Sequence, residues 1–195
     1  MVDKVRLAGT NYQGGSLDKY NKEVKVKEEG SYRPFLSISY IAADKVNKGS
    51  SLNSYEGDTP VTYIVDMLIT KESMHKDPNR HQVVIVDFGK EEGAPFEGAR
   101  IFYLKKDNNY GIDSPVIKNL GQVNMADPEF MKEILTEIIR KFPAAIVDVL
   151  VMDRGGVKGA LDDEGGVLTK EQIEKVLEKV QEKTGVVINA KTFAI

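Results

Sequence analysis

Ala145-Ile-Val-Asp-Val-Leu-Val-Met-Asp153 runs into Arg154-Gly-Gly-Val-Lys-Gly159, and after Thr169 the chain continues Lys170-Glu-Gln-Ile-Glu-Lys-Val-Leu-Glu-Lys179. An apolar strand, a glycine-rich acidic loop and a helix follow one another here. Open sheets build ligand sites at strand carboxyl ends in this order. Upstream, Asp127-Pro128 is a helix N-cap followed by proline at the first helical position. Phe130, Met131, Ile134, Leu135, Ile138, Ile139 and Phe142 then recur at helical spacing and make one broad apolar face. Downstream, Thr169-Lys-Glu-Gln172 is a capping-box pattern, and Ile173, Val176, Leu177 and Val180 form a narrower stripe. A last strand, Val186 to Phe193, completes a β-α-β-α-β run.

Working back from that run, three segments read as strands. Val61 to Thr70, His81 to Gly89 and Arg100 to Leu104 are apolar on both faces, as strands of a covered sheet are. Residues 110–124 hold a short strand that Pro115 pushes to a sheet edge. The fold class expected is therefore α+β: a mixed, largely buried sheet with two C-terminal helices packed on it. Residues 1–60 differ in texture. Lys22 to Glu28 alternates charge with valine, Gly30 turns the chain, and Arg33 to Ile41 reads as the partner strand of a hairpin. Residues 45–58 are turn-rich without periodicity. The expected division is a β-rich extension over 1–60 and a core domain over 61–195.

Composition excludes several classes. The 195 residues carry a net charge of -3, with 41% apolar and 29% charged residues. The basic residues are dispersed, unlike the concentrated patch of a duplex binder. No apolar run approaches the length of a membrane helix, and the first residues lack a signal-peptide core, so a cytoplasmic protein is expected. There is no cysteine, hence no disulfide framework, thiolate nucleophile or zinc–thiolate site.

Two apolar strands end in aspartate followed by glycine chemistry: Val83-Val-Ile-Val-Asp87-Phe-Gly89 and Leu150-Val-Met-Asp153-Arg-Gly-Gly156. Adjacent and parallel, they would bring both carboxylates to one sheet end, where they could share a divalent cation. An Asp-terminated strand, two strands, a helix, an Asp-terminated strand, a helix and a strand, over residues 82–193, is similar to the element order of the ribonuclease H-like fold. That resemblance implies phosphodiester cleavage with Asp87 and Asp153 as catalytic residues and as ligands of Mg²⁺ or Mn²⁺. The family also places a carboxylate on the first helix facing the metals, whereas Glu129, Glu133 and Glu137 lie opposite the apolar face. The loop Arg154, Gly155, Gly156 and Lys158 could bind phosphate through backbone N–H groups, but Asp162, Asp163 and Glu164 oppose an anion.

The remaining signals are bland. Asp66 and Asp148 sit mid-strand in apolar frames and each demands a partner. His75 and His81 flank a hairpin-like loop and read as exposed loop residues. Asp162 to Glu171 fails the register of a calcium hand. Tyr32, Phe35 and Tyr40 could stack on single-stranded bases, although core packing explains them better. With no complete catalytic constellation, the expectation is a non-catalytic binding or assembly protein, such as a subunit of a viral or other multimeric assembly. Its partner would be another protein, or a second copy, bound through the extension, and no cofactor is expected. The alternatives are the metal-dependent nuclease and, third, a single-strand binder.

Overall fold

The computed structural model describes residues 22–42, 77–87, 98–105, 114–153, 161–163 and 166–194. The segment 61–70 with Asp66, the loops at 13–18 and 45–58, His75, and the candidate loop residues Arg154, Gly155, Gly156 and Lys158 lie outside them.

Among the described residues the sheet has six strands, in the order Val116–Gly121, Ala99–Tyr103, Arg80–Asp87, Phe35–Ala42, Ile146–Asp153 and Val187–Ala194. They are β1 (Phe35–Ala42), β2 (Arg80–Asp87), β3 (Ala99–Tyr103), β4 (Val116–Gly121), β5 (Ile146–Asp153) and β8 (Val187–Ala194). A two-stranded ladder, β6 (Leu161–Asp163) with β7 (Gly166–Leu168), forms a second sheet that contacts β1 and β5. β1 pairs in parallel with both β2 and β5, and β5 pairs in parallel with β8. β3 and β4 add antiparallel on the other side. The fold is thus α+β with a mixed sheet. Pro115 immediately precedes β4, which lies at the sheet's edge, where a missing N–H leaves no gap in a central ladder.

The helices begin where their caps place them. Helix α1 (Pro128–Lys141) starts at Asp127, whose side chain accepts from the Glu129 N–H. Helix α2 (Lys170–Thr184) starts at Thr169 with both reciprocal bonds of the capping box. It stops at Gly185, which takes a left-handed conformation at φ 72° that costs glycine little. Met131, Ile134, Leu135, Ile138 and Ile139 of α1, and Ile173, Val176, Leu177 and Val180 of α2, are buried. They pack in one core cluster with Leu36, Ile38 and Tyr40 of β1, Val83 and Ile85 of β2, and Val147, Val149 and Val151 of β5. The even-numbered positions of β1 therefore face the helices. Among the described residues no helix is long and apolar enough to cross a membrane.

The N-terminal hairpin expected from residues 22–41 does not form. Phe35–Ala42 is an inner strand, hydrogen-bonded on both sides, and Leu36, Ile38, Tyr40 and Ile41 have no exposed surface. Residues 23–33 instead form a strap. The Val24 N–H bonds to the Val116 carbonyl, the Gly30 N–H to the Lys141 carbonyl, and the Arg33 N–H to the Pro143 carbonyl. The strap satisfies carbonyls at and just beyond the end of α1 that the helix leaves unpaired. With both edges of β1 occupied and Tyr40 fully buried, this strand has no free edge for an added strand, and Tyr40 is not available for base stacking.

Candidate functional site

The carboxyl edge of β2, β1 and β5 gathers the residues that the sequence singles out. Asp87 is in register with Ala42, and Met152 with Ile41, so Asp153 falls level with Ala42 on the other side. Both Asp-terminated strands therefore end at the same side of the sheet, as their shared pattern implies. They are not neighbours. β1 separates them, and two strand spacings of about 4.8 Å put their backbones roughly 10 Å apart. Asp87 is 3% exposed and lies on the helix-bearing face, since it alternates with the core residues Val83 and Ile85. Among the described residues no three His, Asp, Glu or Cys side chains come together to hold a metal ion.

The ribonuclease H-like reading fails on this strand order. It needs the two Asp-terminated strands adjacent, and the strand that intervenes is one the sequence pattern had placed outside the core. The first helix supplies no third carboxylate either. Glu129 is exposed and bonded to Lys132, and Glu133 is exposed. Burial works against the Glu137 carboxylate, but hydrogen bonds from Lys118 at 2.8 Å and from Lys141 outweigh it, holding its carboxyl below its ordinary value.

A second polar group lies at the amino end of the strands. Arg80 donates through Nη1 to Asp148 Oδ2 and to Ser37 Oγ, both at 2.7 Å. Its guanidinium carbon sits 4.9 Å from the Phe35 ring centre, and Asn189 donates to Asp148 Oδ1. Asp148 thus has the partners its apolar frame demands. The arginine, carboxylate, hydroxyl and carboxamide satisfy one another across four strands, so the cluster holds register and leaves no reactive group spare.

His81, expected in an exposed loop, is fully buried. Its Nε2 lies 2.7 Å from the Ser31 carbonyl and its Nδ1 2.9 Å from the Tyr103 hydroxyl. A carbonyl only accepts, so Nε2 carries the proton, and in the neutral ring Nδ1 accepts from Tyr103. Phe142 packs against both rings, with centroids 5.3 Å from His81 and 4.9 Å from Tyr103. The sequence held a signal for this. His81 is two residues before Val83 and four before Ile85, on the face that turns out to be the core.

Burial pushes the Tyr103 hydroxyl up to about 12, with Arg33 opposing the shift and Glu28 adding to it. An acid whose folded value exceeds its unfolded value near 10 keeps its proton in the folded state while the unfolded chain loses it. Stability is therefore expected to fall between pH 10 and 12, by roughly 2–3 kcal/mol for a shift of that size. Thermal melts across that range, compared with Tyr103→Phe, measure it; the variant should lack most of this slope.

A polar cleft of about 560 Å³ opens on the outer side of the helices, lined by Lys25, Glu133, Glu137, Arg140, Lys141 and Lys183 among others. It lies by the ends of α1 and α2, hence beside the amino ends of β5 and β8 and remote from Asp87 and Asp153. Its lining mixes both signs of charge, and Glu137 is already held by Lys118 and Lys141.

No protein-family model matches the sequence, and no curated protein does. The structure is similar to a secreted C11 cysteine protease from Bacteroides thetaiotaomicron in complex with an irreversible peptide inhibitor, at TM-score 0.54 and 16% identity. That match covers 82% of this chain and 42% of the protease. It is also similar to an inactive zymogen C11 protease from Parabacteroides distasonis, at TM-score 0.50 and 20% identity, over 75% of this chain and 39% of the other. This chain thus spans less than half the length of either. At these identities the likeness concerns the fold. It overturns the expectation of a non-catalytic assembly subunit, together with the nuclease and single-strand alternatives. The assembly reading rested in part on the extension over 1–60, of which the strand Phe35–Ala42 lies inside the sheet.

Proposed function

We propose that the chain acts on polypeptides, with its site at the carboxyl edge of β2, β1 and β5. The observation that carries this reading is the common level of Asp87 and Asp153 on either side of Ala42. Further support comes from the fold likeness to two C11 proteases, one of them held with a peptide inhibitor. None of the 195 residues is cysteine, so these residues supply no thiolate. Among the described residues, Asp87 and Asp153 end strands at this edge, and both carry carboxylates. A carboxylate works on a peptide bond by taking a proton from water as the water oxygen attacks the carbonyl carbon. A second, protonated carboxyl then delivers a proton to the departing amide nitrogen. Backbones about 10 Å apart leave room for a water and a peptide group between such a pair.

The test uses fluorescently labelled, unfolded casein as probe. The protein is expected to bind and cleave it, and iodoacetamide, which alkylates thiols, is expected to change nothing. Asp87→Asn and Asp153→Asn, checked for an unchanged melting temperature, should each lower cleavage about 100-fold or more. Wild-type protein that neither binds nor cleaves casein contradicts the reading. So does full activity in both folded variants.

A further inference from the structure

β8 is bonded to β5 through an unbroken eight-residue parallel register, from Ile146↔Val187 to Asp153↔Ala194. Among the described residues nothing pairs with its other side. Which groups point outward follows from two bonds. The Val187 N–H reaches inward to the Ala145 carbonyl at 3.1 Å. The Ile188 N–H therefore points outward, and there the Gln181 carboxamide oxygen from α2 accepts it at 2.9 Å.

Beyond Ile188 no such protection is present among the described residues. In a parallel strand the N–H and C=O of one residue point to the same side, so Ala190, Thr192 and Ala194 present theirs outward at intervals of about 6.6 Å. The strand carries no proline and its register with β5 shows no bulge, the devices that usually blunt a free edge. Val187 is 57% exposed, and Asn189, Ala190 and Lys191 are exposed. The open row ends at Ala194, level with Asp153, and so runs into the carboxyl edge assigned above.

We infer that the free edge of β8 docks an extended polypeptide segment as an added strand, leading it to the carboxyl-edge site. A row of alternating donors and acceptors at that spacing is matched by the main chain of another strand and by no compact ligand. This inference rests on the polypeptide reading of the site, since it is continuity with that edge that selects a polypeptide as occupant. Main-chain pairing sets affinity without fixing sequence, and side chains of the added strand would alternate between the two sheet faces.

Amide hydrogen exchange with unfolded casein as the added probe tests it. Ala190 and Thr192 should exchange fast in the free protein and slow on casein addition. They should do so in Asp87→Asn as well, because that change leaves the edge intact. Ala190→Pro and Thr192→Pro each remove an outward donor without touching the ladder to β5, and each should weaken casein binding about five- to ten-fold. Casein binding with no slowing at either amide overturns the docking strand and leaves the carboxyl-edge site standing. Slow exchange already in the free protein, with a doubled mass by light scattering, assigns the edge to a second copy and also overturns it. Absence of any casein binding by the wild type removes the carboxyl-edge reading and this inference with it.

Discussion

Phe142→Ala is expected to lower stability by about 3–5 kcal/mol, the usual cost of deleting a fully buried aromatic ring. In a chain of this size that is a fall in melting temperature on the order of 10 °C. Phe142 has no exposed surface, and its ring joins three parts of the fold. It follows α1, stacks on Tyr103 of β3 and packs against His81 of β2. Truncation removes the apolar wall around the His81–Tyr103 hydrogen bond and lets water reach it. The backbone N–H of residue 142, which bonds to the Ile138 carbonyl at 2.9 Å, survives the change, so the loss measures packing and not the helix end. Chemical denaturation of the two proteins checks it. A difference below about 1 kcal/mol would mean that the cluster is not packed as described.

Gly98→Ala should also be costly, through the backbone. Gly98 has φ 72°, a left-handed conformation that charges a residue with a Cβ about 1–2 kcal/mol. The added Cβ would lie 2.5 Å from the Gly121 carbonyl oxygen and 2.7 Å from its carbon. Neither is the end of a flexible side chain, so the β3–β4 pair must shift, and β4 is an edge strand with two register irregularities to begin with. Loss of β4 protection in hydrogen exchange, with the rest of the sheet little changed, is the expected signature. Gly121→Ala is the comparison: Gly121 also has positive φ but nothing within 4 Å of the added Cβ. It should show only the conformational cost.

Both helices were legible because their signals are local. Asp127-Pro128 and Thr169 to Gln172 fix the starts, and the apolar stripes lie within each segment. The four inner strands β1, β2, β3 and β5 were each found as strands for the same reason. Their order was not, because parallel pairing joins segments far apart in the chain and leaves no local mark. The alternating charges of Lys22 to Glu28 and the turn at Gly30 suggested a hairpin with β1 as its second strand. Yet Ser37 faces Arg80 and Asp148 across neighbouring strands, a partnership no local pattern contains.

The candidate site shows the same division. That Asp87 and Asp153 each end an apolar strand could be read directly. That they share a level with Ala42 between them depends on β1 entering the sheet at that place. His81 was misread because the turn residues Asp77 to Arg80 dominate its surroundings, although its alternation with Val83 and Ile85 put it on the core face.

The central claim is the location of the polypeptide site, and photo-crosslinking tests it most directly. An unfolded casein derivative carrying benzophenone groups would be irradiated with the protein and the adducts mapped by mass spectrometry. Adducts concentrated around Ala42, Asp87 and Asp153, reduced by excess unlabelled casein, are the expected result. Adducts confined to the cleft around Lys25, Arg140 and Lys183, with none at the carboxyl edge, would contradict the account.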